Sequence, residues 1–210
     1  MTPGPTIIRK CSICGKLIAE YTINSGNTFG ARFWTDGKTD APMLPDAPWL
    51  VKCKHCEELL WIDEQEQVGK IEPWGILEED DSKFKDALPP VTPSLQDYFT
   101  ALSTGVFERG KERYLRLRIW WAGNDMRRDM DQSKSMSDEE ISNLCAFIPL
   151  LDETDENDRI MKAEAMRELG MFEEANALLT KPFSKELAQA AAIISDLTGQ
   201  KVAAVKEMRL

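Results

Sequence analysis

The apolar residues of this chain change rhythm part-way along it. Up to residue 71 they come in short runs rich in β-branched and aromatic side chains, separated by turn clusters; beyond residue 92 they recur at helical spacing. The first region predicts short strands at residues 16–23, 28–34, 49–53 and 59–63. Asn24-Ser25-Gly26-Asn27 and Asp36-Gly37 are turn signals between them, and Pro42, Pro45 and Pro48 make residues 41–48 a loop. The second region predicts six helices. Thr92 caps the first, with Pro93 at a position where a missing N–H costs nothing, and that helix ends near Gly105. The second runs from Arg109 to Ala122 and stops at Gly123. Ser137 and Glu140 form a capping box that opens the third, which ends before Pro149. The fourth spans residues 155–169 and stops at Gly170; the fifth spans 172–179, ahead of Pro182. Ser184 caps the sixth, whose apolar positions Leu187, Ala190, Ile194, Leu197, Val205 and Met208 continue to the end of the chain, with Gly199 as a candidate kink. Residues 72–92 read as an acidic linker containing Pro73, Pro89, Pro90 and the run Glu78-Glu79-Asp80-Asp81, although Trp74, Ile76, Leu77 and Phe84 call for burial.

Chemistry enters through the cysteines. Cys11-Ser12-Ile13-Cys14 and Cys53-Lys54-His55-Cys56 are two C-x-x-C pairs. Each places two sulfurs on one side of a tight turn, and two such turns brought together by strand pairing offer a tetrahedron of thiolates. Four thiolates suit one Zn²⁺ ion and leave no open position, so the expected cofactor is structural; iron at the same ligands and dithiol chemistry are the alternatives. Residues 7–63 resemble a zinc ribbon, with its rubredoxin-like knuckles. Cys14-Gly15 matches the knuckle pattern, and Glu57 departs from it by standing where the second knuckle would carry glycine. The resemblance implies a small antiparallel β fold and a metal, and little about the task. His55, the only histidine, is expected to be exposed on its knuckle, and Cys145 is expected to be a small buried hydrophobe. The fold class is therefore α+β: a zinc-ribbon β domain (1–71), the linker (72–92) and an all-α bundle of about six helices (93–210).

Net charge alters the picture of partners. The chain carries 26 basic and 36 acidic residues, net −10, which disfavours polyanions and anionic membranes. Residues 109–128 are the exception, at net +5. Arg109, Arg113, Arg116, Arg127 and Arg128 are candidate anion or partner contacts. The competing expectation is a helix whose arginines pair with the protein's own acidic groups. Residues 159–182 resemble a single tetratricopeptide-type hairpin, with Ala163 at a close helix approach and Gly170-Met171-Phe172-Glu173-Glu174-Ala175 as the inter-helix turn; an ordinary helical hairpin fits equally well. If real, that resemblance implies peptide or protein binding.

No apolar run approaches the roughly 18 residues of a membrane span. No phosphate-binding glycine loop, nucleophile elbow or H-E-x-x-H motif is present, and one histidine leaves little scope for triad or metal-hydrolase chemistry. The expected function is a non-enzymatic, cytoplasmic, zinc-containing adaptor with protein partners, for which Phe33, Trp34 and Trp49 are candidate contacts unless they form the ribbon's core. The alternatives are a nucleic-acid-binding regulator using the ribbon and residues 109–128, and an iron-containing electron carrier.

Overall fold

The computed structural model describes residues 1–73, 83–128 and 135–209. It is α+β, with small antiparallel sheets toward the N-terminus and six helices after them. The chain forms two compact units: residues 1–31 with 41–97, and residues 32–40 with 98–210. The division thus differs from the simple cut near residues 72–92 that composition suggests, because a nine-residue excursion of the β region belongs with the helices.

In the first unit, β1 (Thr2–Lys10) lies between β2 (Leu17–Ser25) and β7 (Glu66–Ile71), both antiparallel to it. The sequence reading missed β1 because Pro3, Gly4 and Pro5 disguise it. The ladder tolerates these residues because its register shifts between Thr2 and Thr6, where Pro3 and Pro5 have no N–H to offer. From Thr6 onward the pairing with β2 is regular, and Ile8, fully buried, packs with Ala19 and Phe84. β5 (Leu50–Lys52) and β6 (Leu59–Trp61) form a second hairpin. Part of the expected linker is built onto these sheets. The Ala19 N–H donates to Leu88 O at 2.9 Å, and Lys52 and Val91 exchange backbone bonds of 2.9 Å. The Phe84 ring covers Gly69 so closely that a Cβ there would stand 2.0 Å from it. Trp74, Ile76, Leu77 and the run Glu78–Asp81 lie outside the described residues.

In the second unit, β3 (Arg32–Trp34) pairs with β4 (Thr39–Asp40) and with β8 (Glu207–Met208). The Asp36-Gly37 turn signal is realised: the Gly37 N–H donates to Trp34 O at 2.9 Å, and Gly37 adopts φ +79°. The expected strand at 28–34 shrinks to three residues. The helices are α1 (Leu95–Thr104), α2 (Arg109–Arg128), α3 (Asp138–Phe147), α4 (Glu156–Glu168), α5 (Phe172–Leu179) and α6 (Lys185–Gly199). Ser94, not Thr92, caps α1, exchanging bonds with Asp97. The Ser137–Glu140 capping box forms as expected. Gly123 does not end α2, which continues to Arg128. Its missing Cβ instead makes room for Glu140, whose Oε1 would stand 2.0 Å from such an atom. α6 ends at Gly199; Lys201 at φ +54° turns the chain, and Val205 and Met208 leave the helix to bury beside and within β8. α4 and α5 form the expected hairpin, with Ala163 and Ala175 fully buried and Gly170 at φ +77° between the helices. Trp120, Leu144, Phe147, Leu151 and Ala165 form the main apolar cluster, and the Trp120 and Phe147 rings meet at a tilt, 5.9 Å between centroids.

Buried ion pairs hold the hairpin at 32–40 in this unit. Asp36, fully buried, accepts from Arg128 Nη2 at 2.5 Å and Asn124 Nδ2 at 2.8 Å, and Trp121 Nε1 donates to its carbonyl at 3.0 Å. Arg167, also fully buried, donates to Glu164 Oε1 at 2.5 Å and to the carbonyls of Val202 and Ala204, fixing the segment that leads into β8. Removing one partner of such a pair leaves a buried charge uncompensated, at a cost of about 3–5 kcal/mol. Arg128 keeps a second partner in Asp125 at 2.9 Å, so Asp36→Ala is expected to lose less than that, about 2 kcal/mol, in denaturant unfolding of the full chain. A loss below about 1 kcal/mol, the scale of an exposed pair, would show that Arg128 finds water instead.

Candidate metal centre

Each cysteine pair sits where a hairpin turns. The first knuckle joins β1 to β2 and the second joins β5 to β6. In the first, the Cys11 N–H donates to Lys16 O and the Gly15 N–H to Cys11 O, both at 2.9 Å. In the second, the Cys53 N–H donates to Glu58 O at 2.9 Å and the Glu57 N–H to Cys53 O at 2.8 Å. The two turns are built alike. Gly15 adopts φ +71°, and Glu57, at the matching position, adopts φ +62°. Glu57 therefore takes the left-handed geometry in spite of its side chain, and the departure from the knuckle pattern changes the residue without changing the turn.

The four sulfurs converge. Cys11 and Cys56 Sγ are 3.9 Å apart, as are Cys14 and Cys53 Sγ, and all four lie within 4.8 Å of one another. A tetrahedron with metal–sulfur bonds of about 2.3 Å has edges of about 3.8 Å, so the donor set fits one thiophilic metal ion. Cys11 and Cys53 are buried among Ile18, Val51, Leu60 and Ile62, while Cys14 and Cys56 are partly exposed. Electrostatics favour the same conclusion. Burial raises the Cys11 thiol, but hydrogen bonds from the Cys14 and Ile13 backbones and the neighbouring thiols outweigh it, bringing it down to about 7. The Glu58 N–H lowers Cys56, but burial and the three surrounding sulfurs outweigh that and hold it at about 12. Like charges this close repel one another, so four thiolates coexist only around a cation. His55 is exposed, as expected, and its Nε2 lies 3.2 Å from Leu17 O, linking the second knuckle to the start of β2.

The five arginines are placed apart from this centre in sequence and are each engaged. Arg109 Nη2 donates to Leu150 O at 3.1 Å, and Arg113 pairs closely with Asp158. Arg116 pairs with Glu112 at 2.8 Å, Arg127 with Glu140 at 2.8 Å, and Arg128 with Asp36 at 2.5 Å. Cys145 corrects an expectation: it is exposed. Glu140, Asn143, Leu144 and Phe147 form the inward face of α3, which leaves Cys145 beside Ile141 on the opposite side. Trp34 is buried, Phe33 half-buried and Trp49 about half exposed. Sequence reasoning passed over Asn124 and Glu168, which read as ordinary polar positions of amphipathic helices; no local motif marks them. Compared with family models, with curated proteins and with solved structures, the chain shows no match.

The left-handed conformation costs a residue with a Cβ about 1–2 kcal/mol relative to glycine. Glu57→Gly is expected to stabilise the ribbon unit by up to about 1 kcal/mol, and Gly15→Ala to destabilise it by about the same amount, read as opposite shifts in the thermal midpoint of the metal-loaded protein. Shifts of the same sign would show that the two turns are not equivalent.

Proposed function

We propose that the protein is a non-enzymatic adaptor for protein partners, whose ribbon unit is closed by one structural zinc ion at Cys11, Cys14, Cys53 and Cys56. The observation that carries this reading is the set of four convergent sulfurs inside the ribbon's apolar cluster. A closed thiolate set leaves no position for substrate or water, so its contribution is folding energy. The reading as a non-enzyme is supported by the only histidine having its Nε2 3.2 Å from the Leu17 carbonyl oxygen. A binding role is supported by the apolar side chains that the ribbon unit displays: Ile13 on the first knuckle, Tyr21 on β2, and Phe29, the last 85 % exposed. A structural use of the basic segment is supported by the internal acceptors of Arg109, Arg113, Arg116, Arg127 and Arg128.

Elemental mass spectrometry with a visible spectrum tests the metal. One zinc per chain and a colourless solution are expected; iron with a sulfur-to-metal charge-transfer band would replace this reading with electron transfer. Structural zinc contributes on the order of 10 kcal/mol to folding in small peptides. Chelation is therefore expected to melt β1, β2, β5 and β6, seen as loss of dispersed amide resonances from residues 6–25 and 50–62, and a ribbon that keeps its dispersion without metal would remove the structural role.

The adaptor role is tested by capture on the immobilised, metal-loaded chain. A defined protein retained in salt that screens surface charge, and released by Tyr21→Asp with Phe29→Asp at unchanged zinc content, is the expected result. Nucleic-acid binding that falls steeply with salt and vanishes in Arg113→Glu/Arg116→Glu would overturn it in favour of the regulator.

A further inference from the structure

Among the described residues five carboxylates are buried in the helical unit, and four of them have a guanidinium. Asp36 pairs with Arg128, Glu140 with Arg127, Asp158 with Arg113 and Glu164 with Arg167. Glu168, on the last turn of α4, is the fifth. Among the described residues its hydrogen-bond partners are neutral: Trp120 Nε1 donates at 3.0 Å and Asn124 Nδ2 at 3.2 Å to each oxygen. Burial among neutral partners favours the protonated form of a carboxyl group, and an incoming cation would favour the ionised one.

Glu168 also lines a cavity of about 350 Å³ within this unit. Asn124, Arg127 and Ser135 are its other polar lining residues, and Met136, Ile141, Leu169 and Val205 line it with apolar side chains. Arg127 does not serve Glu168. Its Nη2 is shared between Glu140 Oε1 at 2.8 Å and Asn124 Oδ1 at 3.1 Å, so its charge is already compensated. The cavity therefore offers one carboxyl group in need of a cation, beside a hydrocarbon surface. We propose that it is a binding site for a small primary ammonium ion carried on an alkyl group, with the nitrogen at the Glu168 carboxylate and the hydrocarbon against Met136, Ile141, Leu169 and Val205.

The charges around Glu168 define how such a ligand binds. Burial raises its carboxyl well above the usual carboxylate range, and the carboxylates of Glu164 and Asp36 push it further. The Trp120 N–H and Arg167 offset this in part. Burial and these neighbours thus favour the protonated acid in the free site. When the ammonium enters, the Glu168 O–H bond breaks, its proton passes to the solvent, and an ammonium N–H takes its place against the oxygen. Binding releases a proton, and affinity rises with pH until Glu168 ionises in the free protein or the ligand amine loses its own proton.

The Trp120 indole N–H, bonded to Glu168, is the reporter. Its resonance, identified by its loss in Trp120→Phe, is followed in the full chain during titration with isoamylamine, isoamyl alcohol and isovalerate, three ligands of matching shape and different charge. Saturable movement with the amine, at about tenfold or greater preference over the alcohol (about 1.4 kcal/mol), is expected. Calorimetry in buffers of different ionisation enthalpy should show the proton release. Glu168→Gln keeps one acceptor oxygen, which Trp120 and Asn124 can share at the place of Oε2, so it is expected to fold, and to lose both the preference and the proton release. An unmoved resonance, equal or better binding of the alcohol or the carboxylate, or an unchanged preference in Glu168→Gln would overturn the proposal. None of these readouts depends on the ribbon's metal.

Discussion

The first unit depends on a single constraint: four sulfurs must meet. Strand pairing alone gives a three-stranded sheet and a two-stranded hairpin, and hairpins of three-residue strands are marginal in water. The knuckles at Cys11–Cys14 and Cys53–Cys56 bring their turns to one point, and the apolar residues that flank them, Ile18, Val51, Leu60 and Ile62, close around that point as the unit's inner cluster. Core and candidate metal centre are thus the same object. The segment around Leu88 and Val91 then ties β2 and β5 from outside with backbone bonds, so the hairpins are joined at two places, by sulfur and by strap.

The second unit solves a different problem. It encloses charge, and it does so in pairs. Asp36–Arg128, Glu140–Arg127 and Glu164–Arg167 each join residues that apolar packing alone would not orient. Such pairs add little net stability over apolar replacements, but each carries a direction. Asp36 selects where the hairpin at 32–40 sits on α2, and Arg167 selects the path of residues 202–204 through their carbonyls. Glu168 departs from this economy, and its departure coincides with a cavity.

Legibility from sequence followed the range of the signal. Local chemistry was readable. The C-x-x-C turns, the Ser137–Glu140 box, the Asp36-Gly37 turn and the α4–α5 hairpin each depend on residues near one another in sequence, and each appears in the structure. Residues whose meaning is set by a distant partner were misread. Gly123 carries a stop signal but serves Glu140 on another helix. Val205 and Met208 keep helical spacing, yet Lys201 turns the chain and Met208 pairs with Phe33. Cys145 stands in an apolar stretch, but the helix phase set by Leu144 and Phe147 turns it outward. β1 was hidden because its prolines are harmless only when the register of β2 is known.

The arginines show how the same limit bears on function. A segment of net +5 in a chain of net −10 reads as an exposed anion site. In the structure its guanidiniums turn to Asp36, Glu112, Glu140 and Asp158. Charge spent on internal pairs contributes little to the outward field, because each pair is close to neutral beyond a few ångströms. The acidic groups of the whole chain outnumber the basic ones by ten, and part of the basic complement is committed inside the fold. Each such pair removes one charge of either sign, so the net charge of −10 stands while the local excess of +5 at residues 109–128 is spent internally.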